Sequence, residues 1–291
     1  HYKTFKEKSK LDLVRTYLNY LSHVQEPNGK FMNYVDKNKK VDKFKFTEDA
    51  HGRAVWALGC LLSTPHLPFG IRKTAFKLFK KSLYPIVEFT SPRAIAFSII
   101  GISQVNLKKP TQENIEIIKK FSDRLVEHYM DNSTKNWDWF EKYLTYSNSK
   151  LPEALFYAYQ ETGNENYKEI AEKTLNFLIS VTFEDEVFIP IGQKGWYIRD
   201  GKRAYFDQQP VDVAYMVQTL IVANKITHKE DYMDKALNTF QWFLGNNSLK
   251  QVIYNEFTGG CYDGLGEHSI NINQGAESTV SYLLARLAFC P

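Results

Sequence analysis

The sequence predicts an all-α fold, an α/α toroid of helical hairpins, and three observations predict it. Ten segments carry apolar residues at helical spacing, while strand signals are few. The segments alternate in character: one set is rich in lysine and glutamate, the other in alanine, glycine, serine and apolar residues. The connections alternate as well. Those leading into the second set are long and rich in Trp, Tyr, Asp and Gly, and those leading out are mostly shorter. A surface helix needs a polar stripe, whereas a helix buried on most sides does not, so the alternation reads outer, inner, outer, inner. Such hairpins form either an open solenoid or a closed toroid. Elaborate loops gathered on one face, at the N-terminal ends of the inner helices, favour the toroid. About five hairpins of roughly 45–60 residues are visible.

The first outer helix is predicted in "KLDLVRTYLNYLSHVQ", where Leu11, Leu13, Val14, Tyr17, Leu18 and Leu21 recur at helical spacing. Its inner partner is "EDAHGRAVWALGCLLS", whose Ala50, Gly52, Ala54, Ala57 and Gly59 permit close helix approach. "GIRKTAFKLFKKSLYPIV" is outer. "SPRAIAFSIIGISQV" is inner and opens with Ser91 at a cap position and Pro92 at the first helical position. "TQENIEIIKKFSDRLVEHYM" and "NENYKEIAEKTLNFLISVTF" are outer, with inner "NSKLPEALFYAYQETG" between them. "QQPVDVAYMVQTLIVANKI" is inner and "KEDYMDKALNTFQWFLG" outer. The last inner helix lies in "NINQGAESTVSYLLARL", where Val280, Leu283, Leu284 and Leu287 form the apolar face. "EVFIPIG" is the one short strand candidate. No linker interrupts the chain, so residues 1–291 are expected to form a single domain.

Composition narrows the function classes. The chain is 43% hydrophobic and 15% aromatic, enough for a substantial core, and no apolar run reaches the length of a membrane span. A net charge of +4 is too small to argue for nucleic acid. The basic runs "VDKNKKVDKFKF" and "IRKTAFKLFKKSLYP" read as solvated faces, with an anionic partner as the alternative. Cys60, Cys261 and Cys290 are odd in number and match no zinc spacing, so neither a disulfide framework nor a metal is expected, and no cofactor is expected. Cys261 reads as a buried structural thiol. A reduced, cytoplasmic setting fits, with neither a membrane nor a nucleic acid as partner. No signal peptide is visible, and the chain starts at His1 rather than Met, as a fragment or processed form does.

The polar clusters sit where the inner helices start. In "FTEDAHGRAVW", Thr47 is placed to cap; Glu48 with His51 and Asp49 with Arg53 each share a helix face. Acids in a first turn also complement the helix dipole, so Asp49 has a structural alternative, and Arg53 reads first as its ion-pair partner. In "NWDWFEKYLTYSNSKLPEAL", Trp139 and Glu141 stand in an aromatic loop that either stacks on sugar rings or anchors in the core. In "KGWYIRDGKRAYFDQQPVDVAYM", Trp196, Tyr205 and Phe206 flank Asp207, Gln208 and Gln209. Asp207 is a natural cap, but capping leaves two amides unexplained. In "FTGGCYDGLGEHSININQGAEST", four glycines surround Asp263 and are followed by Asn271, Asn273, Gln274 and Glu277. No P-loop, HExxH or GxSxG is present, and the glycines lack the βαβ context of a dinucleotide site.

Carboxylates, amides and aromatics on one face are the chemistry of a carbohydrate site. Two carboxyls flanking a glycosidic bond act as acid and base, and one must stay protonated in a crowded, partly apolar setting. The candidate catalytic residues are Asp49, Asp207, Asp263, Glu277 and Glu141. The candidate contacts are His51, Arg53, Gln208, Gln209, Asn273 and Gln274, with Trp139, Trp196 and Tyr205 as ring platforms.

"TEDAHGRAVWALG", "WDWFEKYLTYSNSKLPEAL", "GWYIRDGKRAYFDQQPVD" and "TGGCYDGLGEHSININQGAEST" together resemble a bacterial family of α/α-toroid domains. These occur alone or C-terminal to group 1 glycosyltransferase domains, and their fold is similar to the six-hairpin glycosidase superfamily. The resemblance spans nearly the whole chain. It implies a fold, a saccharide ligand and a glycosyltransferase as partner, but no particular reaction. Ser147 and Ser149 replace the Asp and Ala of related chains, which argues against catalysis at position 147. The paired histidines of sugar 2-epimerases of similar fold are missing. The expectation is a glycoside hydrolase-like enzyme, with a sugar-binding accessory module and an interaction scaffold as alternatives.

Overall fold

The computed structural model describes residues 1–290. Its helices run in order α1 (Tyr2–Phe5), α2 (Lys10–Val24), α3 (Glu48–Leu62), α4 (Phe69–Ser82), α5 (Pro92–Asn106), α6 (Gln112–Asn132), α7 (Lys150–Thr162), α8 (Glu165–Thr182), α9 (Pro210–Thr227), α10 (Asp231–Gln241) and α11 (Ala276–Ala288). Short 3-10 turns follow α4 (Pro85–Glu88) and α10 (Trp242–Leu244). The strands are two residues each: β1 (Tyr143–Leu144), β2 (Phe183–Glu184), β3 (Val187–Phe188), β4 (Tyr197–Ile198), β5 (Gly264–Leu265) and β6 (Ile270–Asn271). All ten helices expected from periodicity are present, and the four-residue α1 is an addition. The chain forms two compact units, His1–Leu125 with Tyr157–Asn164, and Val126–Phe156 with Glu165–Pro291.

In the first unit α3 packs on α5 through bare backbone. A methyl on Gly59 would lie 2.1 Å from the Gly101 carbonyl oxygen, and one on Gly101 would lie 2.6 Å from that of Val55. Only glycine allows so close an approach. Ile95, Phe97, Ile99, Ile100 and Ile102 of α5 are wholly buried. Both helices start as their sequences dictate. The Thr47 hydroxyl accepts from the Ala50 amide, and Ser91 accepts from Ala94 with Pro92 behind it. The Glu48 carboxylate accepts from the amides of Thr90 and Ser91, at 2.9 and 2.7 Å, so it ties the start of α3 to that of α5.

In the second unit α9 packs against α10 and α11 and is buried along most of its length. Trp139, Phe140, Trp242 and Phe243 are wholly buried in this unit. An ion pair is buried there: the Lys150 ammonium donates to Glu153, 2.7 Å away, and to the Gln218 carbonyl at 2.8 Å, while Thr219 donates to the same Glu153 oxygen. The last helix corrects the sequence expectation. Val280 and Leu283 are exposed, and α11 buries Ser278, Ser281, Tyr282 and Ala285. Periodicity locates the helix, but packing selects the face. Tyr282 stacks on Tyr254 at 4.1 Å and meets Phe240 and Phe243, while the small residues beside it let the helix approach.

Candidate functional site

Three loops of the second unit, residues 133–149, 183–209 and 245–275, lead into α7, α9 and α11. They form one hydrogen-bonded layer. β1 pairs antiparallel with β4, joining the first loop to the second. Gln208 and Leu265 exchange backbone hydrogen bonds, joining the second to the third, and β5 pairs with β6 within the third. Gly264 makes the second junction possible. Its φ is +156°, and a methyl there would stand 2.5 Å from the Gln208 carbonyl oxygen. The Ser147 amide donates to Asp212 at 2.6 Å and so ties the first loop to α9.

The Asp207 carboxylate lies at this junction. It is one-third exposed, 4.0 Å from the Lys194 ammonium, and faces Gly266. The Gln209 amide faces Gly264. Asp207 is not the helix cap expected of it. Pro210 occupies the first position of α9, so Gln209 is the cap residue, with the extended backbone that proline imposes on its predecessor and no side-chain cap bond. Gln208 is wholly buried: its amide donates to the Tyr205 carbonyl and Ser248 hydroxyl and accepts from the Trp242 indole. It holds the loop rather than facing solvent.

Asp263 serves α11. Gly275 is the cap residue there, and the Asp263 carboxylate accepts from the Gly275 amide at 2.8 Å, from the Ser278 hydroxyl at 2.6 Å and from Asn273. Burial works to raise the Asp263 pKa, but these hydrogen bonds together hold it below the usual carboxylate value. Neither Asn271 nor Asn273 caps the helix; Asn273 instead donates to Asp263. Gln274 is exposed and accepts from Thr258. Glu277 is exposed in the first turn of α11. Cys261, beside this network, is a buried free thiol pushed up to about 12 by burial and by the Asp263 charge.

The aromatic candidates divide. Trp139 is fully buried against Phe140 and Phe177, so no face of it is open to a sugar ring. Trp196 is half-buried, with φ +59°, and its ring centroid lies 6.5 Å from that of Tyr146. Tyr205 is exposed, with the Arg203 guanidinium 4.5 Å over its ring. Glu141 is buried. Two neighbours join these candidates, Lys194 beside Asp207 and Tyr146 beside Trp196, and only the lysine has no signal in the sequence. An exposed lysine in a turn carries no signal in one sequence, whereas Tyr146 belongs to the aromatic loop already noted.

The remaining candidates belong to the first unit. Asp49 and Arg53 form an ion pair at 2.7 Å, with the guanidinium 4.5 Å over the Phe97 ring. His51 is wholly buried. Its Nδ1 accepts from the Phe31 amide at 3.2 Å, and its Nε2 donates to the Ser82 carbonyl at 2.9 Å. Among the described residues, no group of three or more His, Cys, Asp or Glu side chains is placed to hold a metal ion.

No family model and no curated protein matches the chain. Solved structures do. A sugar epimerase from a ruminal bacterium is similar with a TM-score of 0.70 at 12% identity, over 96% of this chain and 82% of that one. A D-mannose isomerase gives 0.66 at 15% identity, over 98% and 83%. The unsaturated glucuronyl hydrolase of Bacillus sp. GL1 gives 0.66 at 12% identity, over 93% and 75%. At such identities the likeness defines the fold alone, an α/α toroid of helical hairpins. No helix among the described residues is long and apolar enough to cross a membrane.

Proposed function

We propose that the chain is a carbohydrate-active protein, glycoside hydrolase-like, whose saccharide site lies on the loop layer preceding α7, α9 and α11. One observation carries this reading: the Gln208–Leu265 junction presents Asp207 and Gln209 beside glycine backbone, on loops that also carry the rings of Trp196, Tyr146 and Tyr205. Carboxylates and amides bond sugar hydroxyls, and aromatic rings cover the apolar faces of pyranoses. Support comes also from the similar solved structures, which are a sugar epimerase, an isomerase and a hydrolase.

Among the carboxylates, Asp207 and Glu277 are the exposed ones we assign to glycosidic chemistry. One protonates the leaving oxygen while the other activates water or attacks the anomeric carbon. Asp263 is the anchor of the loop onto α11. A hydrolysis screen combined with glycan-array binding tests the proposal. Asp207→Asn and Glu277→Gln are each expected to lower turnover by roughly a hundredfold or more, the usual scale for a lost acid or base. Unchanged turnover in both removes the assignment. A second reading is a sugar-binding module acting with a glycosyltransferase, in which the exposed ring of Tyr205 and the half-buried ring of Trp196 hold the saccharide without catalysis. Binding without turnover selects it, and neither binding nor turnover leaves an interaction scaffold.

A further inference from the structure

Helix α4, FGIRKTAFKLFKKS, contains Arg72, Lys73, Lys77, Lys80 and Lys81 and no acidic residue. Its inward face buries Ile71, Ala75, Leu78 and Phe79. The opposite face exposes Phe69, Lys73, Phe76 and Lys77, and the partly covered Lys80 continues it. These positions follow i, i+4, i+7, i+8 and i+11, which confines them to an arc of about 100° along roughly 16 Å of helix. Just past the helix Tyr84 and Val87 are exposed as well. The exposures are 79% for Phe69, 45% for Phe76, 74% for Tyr84 and 40% for Val87.

A solvated charge face accounts for the lysines but not for the phenylalanines. Single exposed apolar residues are ordinary on a protein surface. Here they interleave with lysines on one stripe, and the Lys73 ammonium stands 6.0 Å over the Phe69 ring. The surroundings neutralise little of the charge. Lys80 meets Glu113 of α6 at 2.6 Å, Glu88 is exposed beyond the helix end, and Arg72 is turned toward the carbonyls of Leu62 and Thr64. Lys73, Lys77 and Lys81 have no carboxylate partner among the described residues.

We propose that this face of α4 docks the protein on an anionic lipid surface. The phenylalanines enter the headgroup boundary and the lysines meet the headgroup charge, as in helices that lie in a membrane interface without spanning it. Charge complementarity alone also suits a soluble polyanion, but rings between the lysines gain nothing from a partner whose charges sit in water. This docking is independent of the sugar site.

Co-sedimentation of the full chain with vesicles tests it. The protein is expected to bind vesicles rich in phosphatidylserine, to ignore phosphatidylcholine vesicles, and to release as salt rises. Lys73→Gln with Lys77→Gln is expected to weaken partitioning more than tenfold, at about fivefold per lysine near an anionic surface. Phe69→Ser with Phe76→Ser is expected to bring binding to background. All four positions are exposed, and unchanged circular dichroism checks the fold. Failure to bind phosphatidylserine vesicles, or equal binding to neutral ones, overturns the proposal. Full binding by the phenylalanine variant, with competition by heparin, also overturns it and marks a soluble-polyanion surface instead.

Discussion

Acidification is expected to destabilise the protein through His51. The Phe31 amide can only donate and the Ser82 carbonyl can only accept, so the geometry demands a neutral ring with its proton on Nε2. A second proton on Nδ1 would face the Phe31 N–H. Burial pushes the His51 pKa down to about 4; the Ser82 carbonyl opposes this, and the Lys30 charge adds to it. Against the ordinary 6.5, that is about 3 kcal/mol between the two protonation states. The unfolded chain takes up this proton below about pH 6.5, and the folded chain does not until about pH 4. Stability from this group is therefore whole above pH 6.5 and falls as the pH drops toward 4, by up to about 1.4 kcal/mol per pH unit.

Urea unfolding from about pH 8 to about pH 4.5 measures the slope, and His51→Phe isolates it from the carboxylates that titrate in the same range. The variant leaves the Phe31 amide and Ser82 carbonyl unpaired, so it starts less stable at neutral pH, by about 1–3 kcal/mol per group. It lacks the ionisable ring, so its deficit should shrink on acidification by up to about 3 kcal/mol. A deficit that stays constant across the range, or a ring that titrates near 6.5 by nuclear magnetic resonance, refutes the reasoning.

Gly101→Ala puts a methyl 2.6 Å from the Val55 carbonyl oxygen and should cost about 1–3 kcal/mol, read as a lower Tm. Lys150→Met strands the Glu153 carboxylate in the core and should cost about 3–5 kcal/mol in denaturant unfolding, with much of that loss restored by adding Glu153→Gln. Burial raises the Glu161 pKa and the Asn106 hydrogen bond only partly offsets it, so the folded chain holds this proton to higher pH than the unfolded one. Glu161→Gln should accordingly be the more stable form at neutral pH, by a margin that grows as pH rises from acid; a margin that shrinks contradicts the assignment.

The helices were legible because each depends on neighbours three or four residues away. Thr47 and Ser91 cap for the same reason. What escaped was decided at longer range. The cap of α11 draws its acceptor from Asp263, 12 residues upstream of Gly275. His51 is buried by groups 20 and 31 residues distant, although its spacing from Glu48 places it at a helix mouth. Asp207 lost its expected capping role to the backbone constraint of Pro210. In α11 the apolar spacing predicts the helix, but the face that packs is the adjacent one, with Tyr282 and two serines.

The polar residues that crowd the inner-helix starts are therefore not one population. Gln208 and Asp263 have their polar atoms engaged with named partners, and each partner fixes a loop to a helix. A group so engaged is costly to remove and has little left to offer a ligand. Asp207, Glu277 and the rings of Trp196 and Tyr205 keep open surface, and removing them should cost little stability. This division separates site from scaffold experimentally. Substitution of Gln208 or Asp263 should lower stability and ligand response together. Substitution of Asp207 or Tyr205 should change ligand response while the unfolding free energy stays within about 0.5 kcal/mol of its starting value. If Asp207 instead behaves as Gln208 does, the carboxylate is a structural part of the loop junction, and the saccharide proposal loses the residue on which it most depends.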